Sequence, residues 1–245
     1  MTASAPDEVH PVPQTARRSE ADDAIDAANN KSSDDFVRDY LRPGSQAWPT
    51  WTDARSDSSF TLSLVRAGDL ARPDMQACFD LIYATSGNDY RRSAVGWHPA
   101  AKKREMASPE LRYVLVRNDS GHIGGFASLM PTYENDEPVV YLYEIHLEPG
   151  LQGSRLGTHL MELVMQVADK IPTVTKVMLT CFTSNKRARA FYDRLGFVID
   201  DSSPRQRKLR AGRTVFPDYV ILSRQGLTCR RRRGFAGTPA PDMQG

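Results

Sequence analysis

Apolar and polar residues alternate from Ser59 to Val65 (SFTLSLV), the period of a strand with one buried face. Asp74 to Tyr83 and Pro99 to Ala107 read as helical segments flanking Tyr90 and Gly96-Trp97. Leu111 to Arg117 and His122 to Met130 read as a hairpin turning through Asn118-Asp119-Ser120-Gly121. A nearly continuous run of β-branched, apolar and aromatic residues follows from Val139 to Leu147, the pattern of a buried strand. Leu156, Leu160, Leu163, Val164 and Val167 then recur at helical spacing. Lys176 to Phe182 (KVMLTCF) is a second short apolar strand. Asn185 opens a helix carrying Ala188, Phe191, Tyr192 and Leu195, closed by Gly196 before the strand at Phe197. This order predicts an α/β fold, a mixed sheet with helices on both faces and no internal repeat.

Within that frame, Val139 to Thr158 (VVYLYEIHLEPGLQGSRLGT) concentrates the chemistry: a buried strand runs through a glycine-containing turn into a helix. Gly150, Gly153 and Gly157 let the backbone approach a ligand, and the following helix offers unpaired N–H groups to an anion. Such a turn most often only redirects the chain, so its surroundings decide its meaning. Glu144 is the one firmly ionised residue of the strand, beside a titratable His146. A carboxylate there must be paired, lie at a cleft or do chemistry.

The 245 residues, 40% of them apolar, suffice for one large domain or two small ones. Residues 1–58 are rich in Ser, Asp, Ala and Pro, and the first thirty or so are expected to be disordered, with Trp48 and Trp51 available to anchor the rest. Residues 59–225 form the expected domain, and residues 226–245, with Arg230 to Arg233, a flexible basic tail. The net charge of +2 argues against a strong overall field; the basic runs at Arg205 to Arg210 and Arg230 to Arg233 suit a polyanion or a solvated surface equally. Cys78, Cys181 and Cys229 are too few and scattered for a disulfide framework or metal site. Cys181 reads as a small core residue. The sequence has no secretory h-region and no apolar run of transmembrane length, so a soluble intracellular protein is expected.

The segments LQGSRLGT at Leu151 to Thr158 and NKRARAFYDRLGF at Asn185 to Phe197 resemble the coenzyme A loop and the C-terminal motif of the GCN5-related N-acetyltransferase (GNAT) superfamily. Gly96-Trp97, KREM at Lys103 to Met106, YLYEIHLE at Tyr141 to Glu148, KVMLTCF, IDDSSP at Ile199 to Pro204 and YVILSR at Tyr219 to Arg224 are similar to one branch of it, NatD, the acetyltransferases of histone N-terminal α-amines. Together these strings cover roughly residues 75 to 225. The resemblance implies a mostly antiparallel GNAT sheet flanked by helices, acetyl-CoA as co-substrate, no metal, and histone tails beginning Ser-Gly-Arg-Gly as acceptors. It also implies a monomer in nucleus and cytoplasm. The basic ends could reach ribosome or chromatin. Alternatives are acetylation of other N-termini, lysines or small amines, or a weakly catalytic acetyl-CoA-binding module.

By the same resemblance Glu144 is the catalytic base, acting directly or through water on an amine of pKa about 8. The competing reading is a structural carboxylate paired with an arginine such as Arg112. His146, Leu147, Glu148, Gln152, Gly153, Ser154, Arg155, Leu156, Gly157, Thr180, Asn185 and Tyr192 are expected at the coenzyme. Tyr90, Trp97, Glu134, Asp136, Tyr141, Tyr143, Ser202 and Tyr219 are expected at the acceptor, although each tyrosine also suits plain packing. Tyr141 and Tyr143 share a strand face that Glu144 would leave in a regular strand, so all three can line one cleft only if the strand bulges. Two departures stand out. Arg155 occupies a glycine position of the loop, and Thr132 stands where the branch carries an acidic residue, with Glu134, Asp136 and Glu137 close behind.

Overall fold

The computed structural model describes residues 20–41, 48–208 and 214–226. The expected tail, including Cys229 and Arg230 to Arg233, lies outside the described residues apart from Gly226, as do the first nineteen residues and the end of the Arg205 to Arg210 run. Ten strands and six α-helices are formed among the described residues. The strands are β1 (Thr50–Asp53), β2 (Ser58–Arg66), β3 (Arg112–Arg117), β4 (Ile123–Glu134), β5 (Glu137–Leu147), β6 (Lys176–Phe182), β7 (Val198–Ile199), β8 (Arg207–Lys208), β9 (Thr214–Val215) and β10 (Tyr219–Gln225). The helices are α1 (Glu20–Asn30), α2 (Ser33–Phe36), α3 (Arg72–Arg92), α4 (Pro99–Met106), α5 (Leu156–Lys170) and α6 (Lys186–Arg194).

Eight strands make one sheet in the order β1-β2-β3-β4-β5-β6-β10-β7, with β8 and β9 pairing separately. Every pairing in the large sheet is antiparallel except β5 with β6, which the α5 crossover joins. The β4–β5 hairpin turns through Asn135 and Asp136, both at positive φ, the two-residue turn whose twist matches the strands.

One face of the sheet is covered by α5, through the buried stripe Leu156, Leu160, Met161, Leu163, Val164, Val167 and Ala168, and by α1 and α2 through Ile25, Ala28 and Phe36. The other face is covered by α3 and α4 through Cys78, Phe79, Leu81, Ile82 and Met106. Residues 20–41 are therefore helical and packed into the core, against the expectation of disorder through the first thirty residues. Arg112, fully buried on β3, explains the docking. One guanidinium nitrogen donates to the carbonyl oxygens of Ala28, Asn29 and Lys31, at the C-terminal end of α1, and the group lies 4.3 Å over the Phe36 ring. Trp48 and Trp51 pack against the same core.

Candidate active site

The site begins where β5 and β6 part. Their parallel pairing runs from Val139 to Leu142 and stops, whereas β5 stays paired with β4 as far as Leu147. The β4–β5 register shifts between Ser128, opposite Glu144, and Leu129, opposite Leu142, leaving Tyr143 as the extra residue of a bulge. The bulge places Tyr141, Tyr143 and Glu144 along one cleft, the arrangement a regular strand would forbid. Beyond it, the β5 edge facing β6 has no partner strand among the described residues, so alternate backbone N–H groups point into the gap.

Two clefts meet at this gap. One, of about 560 Å³, is lined by Tyr90, Glu134, Tyr141, Tyr143, Glu144 and Tyr219. The other, of about 510 Å³, is lined by Leu147, Gln152, Gly153, Arg155, Gly157 and Phe191. Ser86, Ile145, His146, Asn185, Ala188 and Tyr192 border both.

Glu144 is buried, with 10% of its side chain exposed, and it is paired. Its Oε1 accepts from Lys102 Nζ at 2.9 Å, and its Oε2 lies 2.5 Å from His146 Nε2. Burial alone would raise the pKa of this carboxyl, but the adjacent His146 and Lys102 reverse the effect and hold it at about 2. Lys102, 8% exposed, also bridges to Glu105 at 2.7 Å, and its ammonium lies 4.9 Å over the Tyr90 ring. Burial opposes its charge, yet Glu144, Tyr90 and Glu105 keep it firmly protonated. The expected alternative partner is not used: Arg112 reaches the α1 carbonyl groups instead. Glu144 is thus both ion-paired and set in a cleft. Tyr90 reaches its Oε1 at 3.5 Å, with the phenol raised to about 12 by burial and then by the carboxylate.

Lys102 and Glu105 were not singled out in the sequence. The available signal was their place on α4, where Lys102 and Met106, one turn apart, both face inward.

The glycine loop has the form that phosphates require. Gly153 and Arg155 both take positive φ, +76° and +72°, and Arg155 is the residue from which α5 starts, so the first-turn N–H groups face the second cleft. Arg155 adopts the left-handed conformation a glycine would hold without strain. The loop is braced from outside by Arg55, which is paired with Asp53 and donates to the carbonyl oxygens of Gln152 and Gly150. Arg155, Arg187 and Arg194 line the same cleft, and Arg187 donates to Gln152 Oε1 at 2.7 Å. Positive φ, a helix N-terminus and three guanidinium groups fit a pyrophosphate and a further phosphate.

Other expected residues lie elsewhere. Trp97 packs against Phe79, Tyr83 and Tyr90, behind the acceptor cleft. Asp136 is held at the tip of the β4–β5 turn, away from the cleft. Ser202 donates to Asp200 Oδ1 at 2.6 Å, in a cluster that includes Lys176. On the coenzyme side, Glu148 is tied to His122 at 2.8 Å, Ser154 turns inward to the Leu151 carbonyl, and Leu156 is wholly buried. Thr180 lines the acceptor cleft, where it hydrogen-bonds Tyr141 at 2.7 Å. Asn185 caps α6 by accepting from the Ala188 N–H, and its position also borders both clefts. Tyr192 is buried in the core and borders both clefts, its phenol pushed up by burial, so it retains its proton. Among the described residues no group of three His, Cys, Asp or Glu could hold a metal, and no helix is long and apolar enough to cross a membrane.

Residues 76–197 match the Acetyltransferase (GNAT) family. The chain is 32% identical over 142 residues to the N-alpha-acetyltransferase RimI of Mycobacterium tuberculosis, covering 54% of this chain and 78% of that protein. The chain belongs to the GNAT acetyltransferase family. It is also 32% identical over 176 residues to N-alpha-acetyltransferase 40 of Saccharomyces cerevisiae; that match covers 58% of this chain and spans only 60% of the yeast protein. An acyl-CoA N-acyltransferase from Pseudomonas aeruginosa superposes with a TM-score of 0.49 at 16% identity, covering 67% of this GNAT chain and 99% of that one.

Proposed function

We propose that this chain moves acetyl from acetyl-CoA to the α-amine of protein N-termini, with histone tails beginning Ser-Gly-Arg-Gly as its acceptors. The carrying observation is Glu144, a buried carboxylate at the junction of a phosphate-suited cleft and a tyrosine-lined one. A pure acetyl-CoA-binding module has no use for it.

The loop N–H groups and Arg155, Arg187 and Arg194 would hold the coenzyme phosphates. The unpartnered N–H groups along the end of β5 would accept the thioester carbonyl and stabilise charge on its oxygen. Glu144, ionised at any working pH, draws the amine to the gap, directly or through one water. Tyr192, bordering both clefts, would protonate the departing sulfur.

A Ser-Gly-Arg start suits the acceptor cleft by shape and charge: a small first side chain, a glycine that passes between tyrosines, and a cation for Glu134. Similarity to two N-alpha-acetyltransferases supports the α-amine over a lysine side chain or a small amine. We further propose that the protein acts as a monomer in nucleus and cytoplasm, its basic ends meeting ribosome or chromatin. The test is to offer acetyl-CoA with a mixed library of free-amine peptides and identify the products by mass. Enrichment of Ser-Gly-Arg peptides supports the histone assignment; acetylation spread over unrelated N-termini supports the broader one.

A further inference from the structure

The acceptor cleft poses a chemical problem. Held well below the usual carboxylate range by His146 and Lys102 despite its burial, the Glu144 carboxylate without its neighbours' help is a poor destination for the proton that the attacking amine must lose. The structure offers a second destination in contact with it. His146 is 7% exposed, and both of its ring nitrogens are engaged. Nε2 faces Glu144 Oε2 at 2.5 Å, and Nδ1 faces Thr85 Oγ1 at 2.6 Å. The Thr85 hydroxyl donates to the Leu81 carbonyl oxygen, one turn back on α3, at 2.7 Å. With its proton so directed, Thr85 meets the ring as an acceptor, which makes Nδ1 a donor. Nε2 then faces a carboxylate oxygen at a distance that requires one proton between the two atoms.

We propose that Glu144 and His146, oriented by Thr85, act as one proton-sharing pair, and that this pair rather than the carboxylate alone receives the proton of the acceptor amine. The inference rests on the acetyl-transfer reading above. In the step, the amine nitrogen bonds to the thioester carbonyl carbon and the carbon–sulfur bond breaks. The amine's proton passes to the Glu144 oxygen and onward to His146 Nε2, and the thiolate is protonated by Tyr192 or water. The pair must have lost its shared proton beforehand, so turnover rises with pH as that proton leaves, with a midpoint that belongs to the pair.

His146 acts through Glu144 and is a positioning residue for it. The other groups around the pair come from every packed element: Tyr90 on α3, Lys102 and Glu105 on α4, Tyr113 on β3, Cys181 on β6 and Tyr192 on α6. Lys102 is the one firmly charged cation among them. Its charge favours loss of the shared proton and disfavours a second ammonium, so the amine is driven to enter neutral.

Two measurements test this. In proton NMR of the full chain, the wild type should show a strongly downfield ring N–H resonance from the shared proton, lost in both Glu144→Gln and His146→Gln. Absence of that resonance from the wild type, or its persistence in both variants, overturns the pair. In steady-state assays with any accepted α-amine peptide, His146→Gln should lower kcat roughly 10- to 100-fold at neutral pH, with less than about a threefold change in peptide KM, and abolish the rising limb that loss of the shared proton imposes on the kcat profile. An unchanged kcat and limb overturn the catalytic role. Failure of the wild type to acetylate any α-amine would instead sink the acetyl-transfer reading, and the NMR comparison still decides whether the two residues share a proton.

Discussion

Replacing Glu144 by Gln removes the charge that Lys102 and His146 surround while keeping the shape, so turnover should fall by roughly two to four decades with the fold retained. Circular dichroism and peptide assays check this; a near-wild-type rate would return Glu144 to a structural role. The same carboxyl carries a stability signature. Burial raises its pKa, but His146 and Lys102 overcome this and lower it from 4.5 to about 2. A depressed carboxyl contributes stability that is complete above about pH 4.5 and lost as pH falls through about 2. Wild type should therefore lose stability more steeply than Glu144→Gln across that window in acid denaturation. On the acceptor side, Glu134 lines the cleft whereas Asp136 sits at the tip of the β4–β5 turn, so the proposed contact with a third-position arginine falls to Glu134. Glu134→Gln should raise the KM for Ser-Gly-Arg-Gly peptides about tenfold, ~1.4 kcal/mol, with little change in kcat. The same change should leave a Ser-Gly-Ala-Gly peptide unaffected.

Among the elements, the loop before α5 carries an arginine where the expected coenzyme-loop pattern has a glycine. Arg155 holds a left-handed φ of +72° at a cost of about 1 kcal/mol relative to glycine, yet it lines the cleft as a cation. Arg155→Gly should therefore raise thermal stability by about that amount while increasing the KM for acetyl-CoA several-fold, readable by calorimetry and initial rates. A lower KM would mean the side chain obstructs the coenzyme. Much of the element order was legible in advance, because period 2 in β2, the apolar runs of β5 and β6 and period 3.6 in α5 are direct imprints of burial. The β5 bulge was legible only as a condition: three residues of odd and even parity had to share a cleft. Lys102 was not legible, since a lysine in a short basic helix reads as solvated until its partner across 42 residues is known. The same holds for Thr85, whose role depends on a ring sixty-one residues away.

For the whole molecule, helices α1 and α2 are the clearest failure of composition as a guide. Their acidic, alanine-rich sequence offers few anchors beyond Ile25, Ala28 and Phe36, and such a segment alone resembles a disordered one. What orders it is a distant residue: Arg112, whose cation burial lowers to about 10, supplies hydrogen bonds to three carbonyl groups there. Arg112→Leu should destabilise the protein by roughly 3 kcal/mol in denaturant titrations and expose residues 20–41 to protease before the sheet unfolds. The central claim concerns the chemistry of the acceptor, and one measurement reaches it directly. A Ser-Gly-Arg-Gly-Lys peptide with both its α-amine and its lysine free is incubated with acetyl-CoA and the chain, and the acetyl group is located by tandem mass spectrometry. The tyrosine-lined cleft ending at Glu144 predicts acetyl on the serine nitrogen, at a rate that drops when the arginine is replaced by alanine. Acetyl on the lysine, or equal rates for the arginine and alanine peptides, would contradict it.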